Sequence, residues 1–356
     1  MTYAVPGRPP IRVGRFSGVW RGRLAAVTAL GIGLLVLLAA LNIGLGDVRI
    51  SLGDVLGALV GGGDRAQRFI VLQLRLPRTL TGLLVGAALG MAGAITQALT
   101  RNPLASPDLL GVTGGAGAAA LAVIALGGGG SGTAVGLLAG AGVPLAALIG
   151  GLLAAAVVYG LAYRRGMLTD RLVLVGVGVN AVAVAITSWL LVVAHVDQAA
   201  QATVWLTGSL NGRGWEHVVP VALALAVLMP AGLLVSFGLG ALALGDDTAS
   251  GLGVRVTRYR VTLGLIALVL AAVATAGAGP IGFVALVVPQ ICQRLVRAAT
   301  PPLLTSAVYG ALLTVTGDLI ARTALPAELP VGIVTAVLGT PYLLYLLGRR
   351  NRGVTL

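Results

Sequence analysis

The chain has 356 residues, of which 57% are hydrophobic and only 10% charged, with a mean hydropathy of +0.99 and a formal charge of +13. Soluble domains carry roughly 25% charged residues, so a water-soluble globule is excluded and an all-α polytopic membrane protein is expected. All 24 basic residues are arginine; with no lysine there is neither a P-loop nor a Schiff base, so ATP-driven work must be done by another subunit.

Residues 1–23 form a polar cytoplasmic tail holding Arg8, Arg12, Arg15, Arg21 and Arg23, and an apolar run from Leu24 to Leu45 follows. That run exceeds the about 7–15 residues of a signal-peptide core, and is assigned as the first spanning helix. Residues 46–77 make an outer connection. Val48 to Leu59 alternates enough for a short interfacial helix, which Gly61, Gly62 and Gly63 end. The second span runs from about Arg78 to Leu99. Its Gly82, Gly86 and Gly90 recur at four-residue spacing, a smooth stripe that lets another helix approach closely.

Arg101 to Gly111 reads RNPLASPDLLG. Proline lacks a backbone donor and disfavours helix in the residue before it, so Asn102-Pro103 and Ser106-Pro107 each argue for a break. The segment is a shaped turn at the membrane surface; the plain alternative for Asn102, beside any role in the pathway, is the cap of a broken helix. The third span, about Leu110 to Leu126, opens on a glycine-rich stretch resembling a dinucleotide loop, but no strand precedes it. Gly127 to Gly132 is a tight outer turn. Further spans fall near 135–162, 172–194, 218–238, 261–278, 281–297, 303–324 and 330–348. Pro144, Pro230 and Pro289 lie in or at the ends of these and should kink them. The expectation is ten transmembrane helices in a domain over 24–348, with both termini, including the tail 349–356, in the cytoplasm.

The arginines agree with this orientation. Arg49, Arg65, Arg68, Arg75, Arg78, Arg213 and Arg322 fall outside, and the remaining seventeen fall in inner segments, as the positive-inside rule expects. The basic balance therefore points to membrane orientation and not to nucleic acid. The long inner segment 241–260, ALALGDDTASGLGVRVTRYR, puts Asp246 and Asp247 where acids favour a helix start, and Gly251 and Gly253 where glycine favours a stop. A short helix on the cytoplasmic face is expected; a merely solvated loop is the alternative. Cys292 is the single cysteine, so no internal disulfide forms, and His195 and His217 lie too far apart in sequence to suggest a metal site.

Six segments, in order, resemble the FecCD family of ABC importer permeases, which handle ferric siderophores, haem and vitamin B12. They are RLPRTL at 75–80, GAALGMAGAITQALTRNPLASPDLLGVTGGAGA at 86–118, WLTGSL at 205–210, LALGDDTASGLG at 242–253, AGPIGFVALVVPQ at 278–290, and GDLIAR with ELPVGIVTAVLGTPYLLYLL at 317–347. Together they span about three quarters of the chain. The resemblance implies a non-enzymatic permease subunit in the cytoplasmic (inner) membrane. Its partners would be a second permease, identical or homologous, two ATP-binding subunits, and an extracytoplasmic substrate-binding protein. No cofactor is expected on this chain; ATP and Mg belong to the ATPase subunits.

Family roles carry over where residues match. Leu244, Gly245, Asp246, Asp247, Thr248, Ala249, Gly251, Leu252 and Gly253 correspond to the coupling helix that docks on the ATPase. Asn102 and Leu104, with Thr169 and Asp170, match the cytoplasmic gate. Arg75, Arg78 and Arg322 match arginines offered to acidic residues of the binding protein, the alternative being arginines that snorkel to anchor helix ends. Asp318, four residues before Arg322, shares its helical face and is expected to hold it in position; a lone acid within a span could instead mark a proton path. One departure stands out. The family's histidine after the proline of the eighth span is here Gln290, and the following arginine is displaced to Arg294, so this region is read as structural.

The substrate implied is a ferric siderophore, with the RNPLASPDLLGVTGGA run most like permeases for catecholate types; vitamin B12 or haem are the alternatives. A secondary transporter driven by an ion gradient is the rival class, expected to show broken helices repeated in two halves and midplane acids. No such repeat is visible. No paired acids or His/Glu motif support an intramembrane enzyme.

Overall fold

The computed structural model describes residues 10–13, 16–19, 21–46, 48–126, 142–162, 169–324 and 327–351. Two strands open it: β1 (Pro10–Val13) pairs antiparallel with β2 (Phe16–Val19), Pro10 opposite Val19. An all-α chain was expected, so this hairpin in the polar tail is a departure; the rest of the described secondary structure is helical.

The bundle is built around one helix, α4 (Leu76–Thr100), which is buried along nearly its whole length. Against it pack α14 (Leu303–Thr323), α12 (Val256–Ala278), α13 (Val284–Val296) and α9 (Trp215–Val235). The glycine stripe makes the closest of these contacts. A methyl group on Gly86 would overlap the Gly310 carbonyl oxygen of α14, and one on Gly90 the Ser306 carbonyl. Gly93 stands in the same relation to the Ala285 carbonyl of α13. Small residues thus let backbones touch where lipid offers no hydrophobic drive for association. Around this centre lie α1 (Gly22–Gly44), α5 (Val112–Leu126), α6 (Val143–Ala162), α7 (Thr169–Val193) and α15 (Val331–Asn351). α1 and α7 bury little of themselves and present Leu, Val and Ile outward.

Seven helices among the described residues are long and apolar enough to span a membrane. Three further apolar helices, Val112–Leu126, Val284–Val296 and Val331–Tyr345, fall at other expected spans but are shorter. At 1.5 Å per residue, the 15-residue α5 covers about 22 Å, short of the roughly 30 Å hydrocarbon core.

The outer connection differs from expectation. α2 (Leu52–Leu59) forms where a short helix was expected, with the Ser51 hydroxyl accepting from the Asp54 N–H. The chain then turns helical again at α3 (Arg65–Phe69) and runs through a π-turn at Ile70–Arg75 directly into α4, so Pro77 lies inside a continuous helix and does not end a loop. The widened turn makes this possible. The Leu76 N–H bonds the Val71 carbonyl, five residues back, and Pro77 has no N–H to give. Leu72 O is thereby left without a helical donor, and the indole N–H of Trp215 on α9 supplies one at 3.1 Å. Three short helices were not foreseen: α3, α8 (Val196–Leu206) and α10 (Phe237–Leu242).

Candidate functional site

Polar clusters sit at the two ends of α4, with Arg78 in its first turn and Arg101 just past its last residue. Twenty-three residues of helix separate them by about 35 Å, so they occupy opposite ends of the bundle.

At the Arg78 end, α1, α4 and α14 meet around Asp318, which is only 1% exposed. Arg78 grips it in a fork: Nη2 donates to Oδ1 at 2.7 Å, and Nε donates to Oδ1 at 3.0 Å and Oδ2 at 3.2 Å. The same guanidinium reaches Glu328, just before α15, at 2.5 Å. Arg322 lies 3.5 Å from Asp318 and donates to the backbone and side-chain oxygens of Asn42 on α1. Asn42 in turn donates to Asp318 and to the Val315 carbonyl, and accepts from Thr79. Asp318 does face Arg322, as the four-residue spacing implied, but its tighter partner is Arg78 on another helix. An acid so paired is a structural counter-ion, which leaves the proton-path reading without a free carboxylate.

Arg75, expected to face outward, is buried to 8% exposure. Its guanidinium donates to the Ile43, Gly44 and Val48 carbonyls, satisfying the end of α1 that has no further helical donors. Within this chain it organises the rim. Arg78 and Arg322 are also largely enclosed, each with a side chain 11% exposed. Sequence reasoning missed Asn42 and Glu328. An isolated Asn in an apolar span, and the acid that opens ELPVG, were the available signals.

At the other end, α4 closes on Arg101 in a left-handed conformation, φ 50°. The Asn102 side chain accepts from the Leu104 N–H at 3.0 Å, an Asx turn that starts the elbow, and a 3₁₀ turn over Pro107–Leu110 completes it. Asn102 is exposed and Leu104 half-buried. The elbow ends at Gly111, φ 77°, where a methyl group would press on Val179 and the backbone of α7. Asp108 accepts from the Thr113 hydroxyl at the start of α5. Burial pushes its carboxyl above the usual range, and that hydrogen bond draws it partly back. Thr169 and Asp170 form the first turn of α7, the helix on which the elbow rests, but their side chains lie outside the described residues.

Beside the elbow stands α11 (Asp246–Gly251), where capping signals suggested a helix. Gly245, φ 110°, turns the chain into it, and Gly253, φ 81°, turns it out. The Leu252 and Val254 N–H groups close the last turn on the Thr248 and Ala249 carbonyls. Ala249 is fully buried against the bundle, while Asp247 and Thr248 are exposed, and Leu244 and Leu252 flank the helix at about two-thirds exposure. A rigid helix is thus held by one alanine and presents two leucines and an acid outward.

Three of the quoted motifs converge near the Arg78 end. Ser209 N–H bonds Ala278 O, Gly332 N–H bonds Gly208 O, and the Thr335 hydroxyl bonds Gly282 O, so WLTGSL is wedged between GPIGF and PVG. Gln290 donates to Gln97 at 2.7 Å, and Gln97 donates to the Leu286 carbonyl, tying α13 to α4. Arg294 lies over the Tyr342 ring at 5.7 Å. Both residues at the departing positions are therefore used in packing.

A family model described as the FecCD transport family matches residues 34–349. The chain belongs to that family. This FecCD chain is 42% identical over 308 residues to the ferric enterobactin transport system permease protein FepG of Escherichia coli K12, covering 86% of this chain and 91% of that one. It is 40% identical over 340 residues to the achromobactin transport system permease protein CbrC of Dickeya dadantii, covering 94% and 95%. A solved structure described as an inward-facing conformation of a metal-chelate type ABC transporter superposes with a TM-score of 0.79 at 27% identity, over 91% of this chain and 99% of that one. The FecCD chain is a multi-pass inner-membrane transport permease, a subunit that moves solute and carries no ATP-binding motif of its own.

Proposed function

We propose that this permease is the membrane-spanning subunit of an ATP-driven importer that carries a ferric siderophore, of catecholate type, across the cytoplasmic membrane. The observation that carries the reading is the rigid helix 246–251, presented with exposed leucines next to the elbow that ends the central helix. Such a helix suits a partner that pushes from below, and a lysine-free chain needs one. Two ATP-binding subunits, a second permease and a substrate-binding protein complete the assembly, with ATP and Mg held by the ATP-binding subunits. The cluster around Arg78 and Arg322 is the surface for the binding protein, and Arg75 shapes it. Both arginines are enclosed and already held by Asp318 and its neighbours, so the cluster serves as a shaped rim more than as free charge. Identity to the enterobactin permease favours a catecholate, and the achromobactin relative at nearly equal identity makes substrate the finer question.

The test is purification with the ATPase and binding protein, then uptake of radiolabelled ferric catecholate, ferric citrate, haem and vitamin B12 into reconstituted vesicles. ATP-dependent uptake of the catecholate alone is the expected result. Uptake of haem or vitamin B12 instead would move the chain to the alternative substrates. Uptake driven by an ion gradient without ATP would overturn the class.

Asn102 and Leu104 close the pathway from below in this reading, together with Thr169 and Asp170. Truncating Leu104 to alanine should raise passive leak of substrate from loaded vesicles several-fold while ATP hydrolysis continues. A leak equal to that of the unaltered protein removes Leu104 from the gate.

A further inference from the structure

Asp246 is more than the first residue of a surface helix. Its Oδ1 accepts from two arginines that come from different parts of the bundle: Arg101 Nη2 at 2.5 Å and Arg260 Nη2 at 2.8 Å. Arg101 is 145 residues away in sequence and caps the central helix. Its Nε donates in addition to the Leu242 carbonyl at 3.0 Å, so one guanidinium holds both the end of α10 and the start of α11. Arg260 belongs to the first turns of α12 and is more enclosed, its side chain being 15% exposed.

We propose that Arg101 and Arg260, joined through Asp246, are the positioning residues that transmit movement of the 246–251 helix to the elbow at 101–111. The proposal rests on the functional reading above. Arg101 belongs to the elbow and also bonds the segment leading into the helix at two points. Its left-handed backbone is uncommon for a residue with a side chain. That conformation ends α4 and starts the elbow at the residue that holds Asp246. The charges are arranged for a two-state response. Two cations share one carboxylate, so shifting Asp246 away from either leaves like charges facing one another across the joint.

The bland alternative is a solvated surface pair, since Arg101 and Asp246 are 42% and 44% exposed. A half-exposed pair contributes little to stability, which makes the test clean, because the variants should still fold. A contact that only lies between two sites is no proof of coupling; exchange of the charges supplies that proof.

The experiment uses the assembled importer in vesicles and reads substrate transported per ATP hydrolysed. Arg101→Ala and Asp246→Arg should each lower that ratio about fivefold or more, the lower end of ordinary coupling energies. In both, the ATPase should remain bound. The exchanged pair, Arg101→Asp with Asp246→Arg, should recover a substantial part of the ratio. Arg101→Lys, which keeps the charge but cannot hold two acceptors in a fork, should fall between. An unchanged ratio in Arg101→Ala overturns the proposal, as does an exchanged pair no better than the single variants. Should Arg101→Ala fail to assemble, Arg101→Lys and the exchanged pair decide it. Asp247→Arg, on the exposed side of the same helix, separates this outcome from failure of the underlying reading. If the ATPase binds and Asp247→Arg impairs transport while Arg101→Ala does not, only the transmission falls. If no ATPase binds the unaltered chain, the importer reading falls with it.

Discussion

Replacing Asp318 by alanine is expected to destabilise the folded chain by about 3–5 kcal/mol, the usual cost of removing one partner from a buried ion pair. The carboxylate is 1% exposed and is the counter-ion that Arg78 grips through two nitrogens and Arg322 approaches at 3.5 Å. Without it, Arg78 is left with Glu328, which is itself one-third exposed, and Arg322 with the oxygens of Asn42 and Leu45. Asn42 would also lose an acceptor, loosening α1 from α14. The measurement is the thermal unfolding midpoint in detergent together with the amount of folded protein in the membrane. Removing the arginine as well, in Asp318→Ala with Arg78→Leu, should recover part of the loss, because an apolar pair carries no desolvation penalty. Stability of Asp318→Ala equal to that of the unaltered chain would show that Arg78 and Arg322 do not depend on this acid.

The second large effect is at Gly90. Any Cβ there overlaps the carbonyl oxygen of Ser306, and the obstruction is backbone, not the movable end of a side chain. Gly90→Ala should cost about 1–3 kcal/mol through forced separation of α4 and α14. Gly90→Leu should prevent assembly of the bundle. Gly178 on α7 provides the control, since a methyl group there meets nothing within 4 Å. Gly178→Ala should leave the midpoint unchanged or raise it, because alanine favours helix over glycine by roughly 0.5–1 kcal/mol. Equal losses at the two positions would contradict the close seam.

These two positions mark the boundary of what the sequence makes legible. The four-residue glycine spacing identifies Gly82, Gly86 and Gly90 as a contact stripe, because helical periodicity is local. The partner of Asp318 is not local. Asp318 and Arg322 are four apart and can be paired on sight, whereas Arg78 lies 240 residues away and becomes the tighter partner through the packing of α4 on α14. The same distance hid the Arg101–Asp246 contact, although both residues had been singled out. At 246–251 the acids and glycines mark the helix ends as capping rules expect. At Pro77 those rules mislead, because a missing N–H is a helix stop only where a regular α-turn requires that donor, and the π-turn before it does not. Arg75 was legible as an arginine at a helix end; its inward direction was set by the carbonyls of α1.

The widened turn at 70–75 also governs how the chain could change in length. Deleting Ile70 or Val71 would return the helix to a regular register, give Leu72 O the Leu76 N–H as a backbone donor and displace Trp215. Every residue before the deletion would rotate by about 100° about the helix axis. Arg65 and Arg68 of α3 would change direction, while Arg75, which follows the deletion, and Gly82 to Gly93 kept their places. The extra residue therefore works as a phase adjuster, setting the azimuth of α3 separately from that of the seam. The facing of α3 can thus change by a single insertion, with the bundle beneath it unchanged.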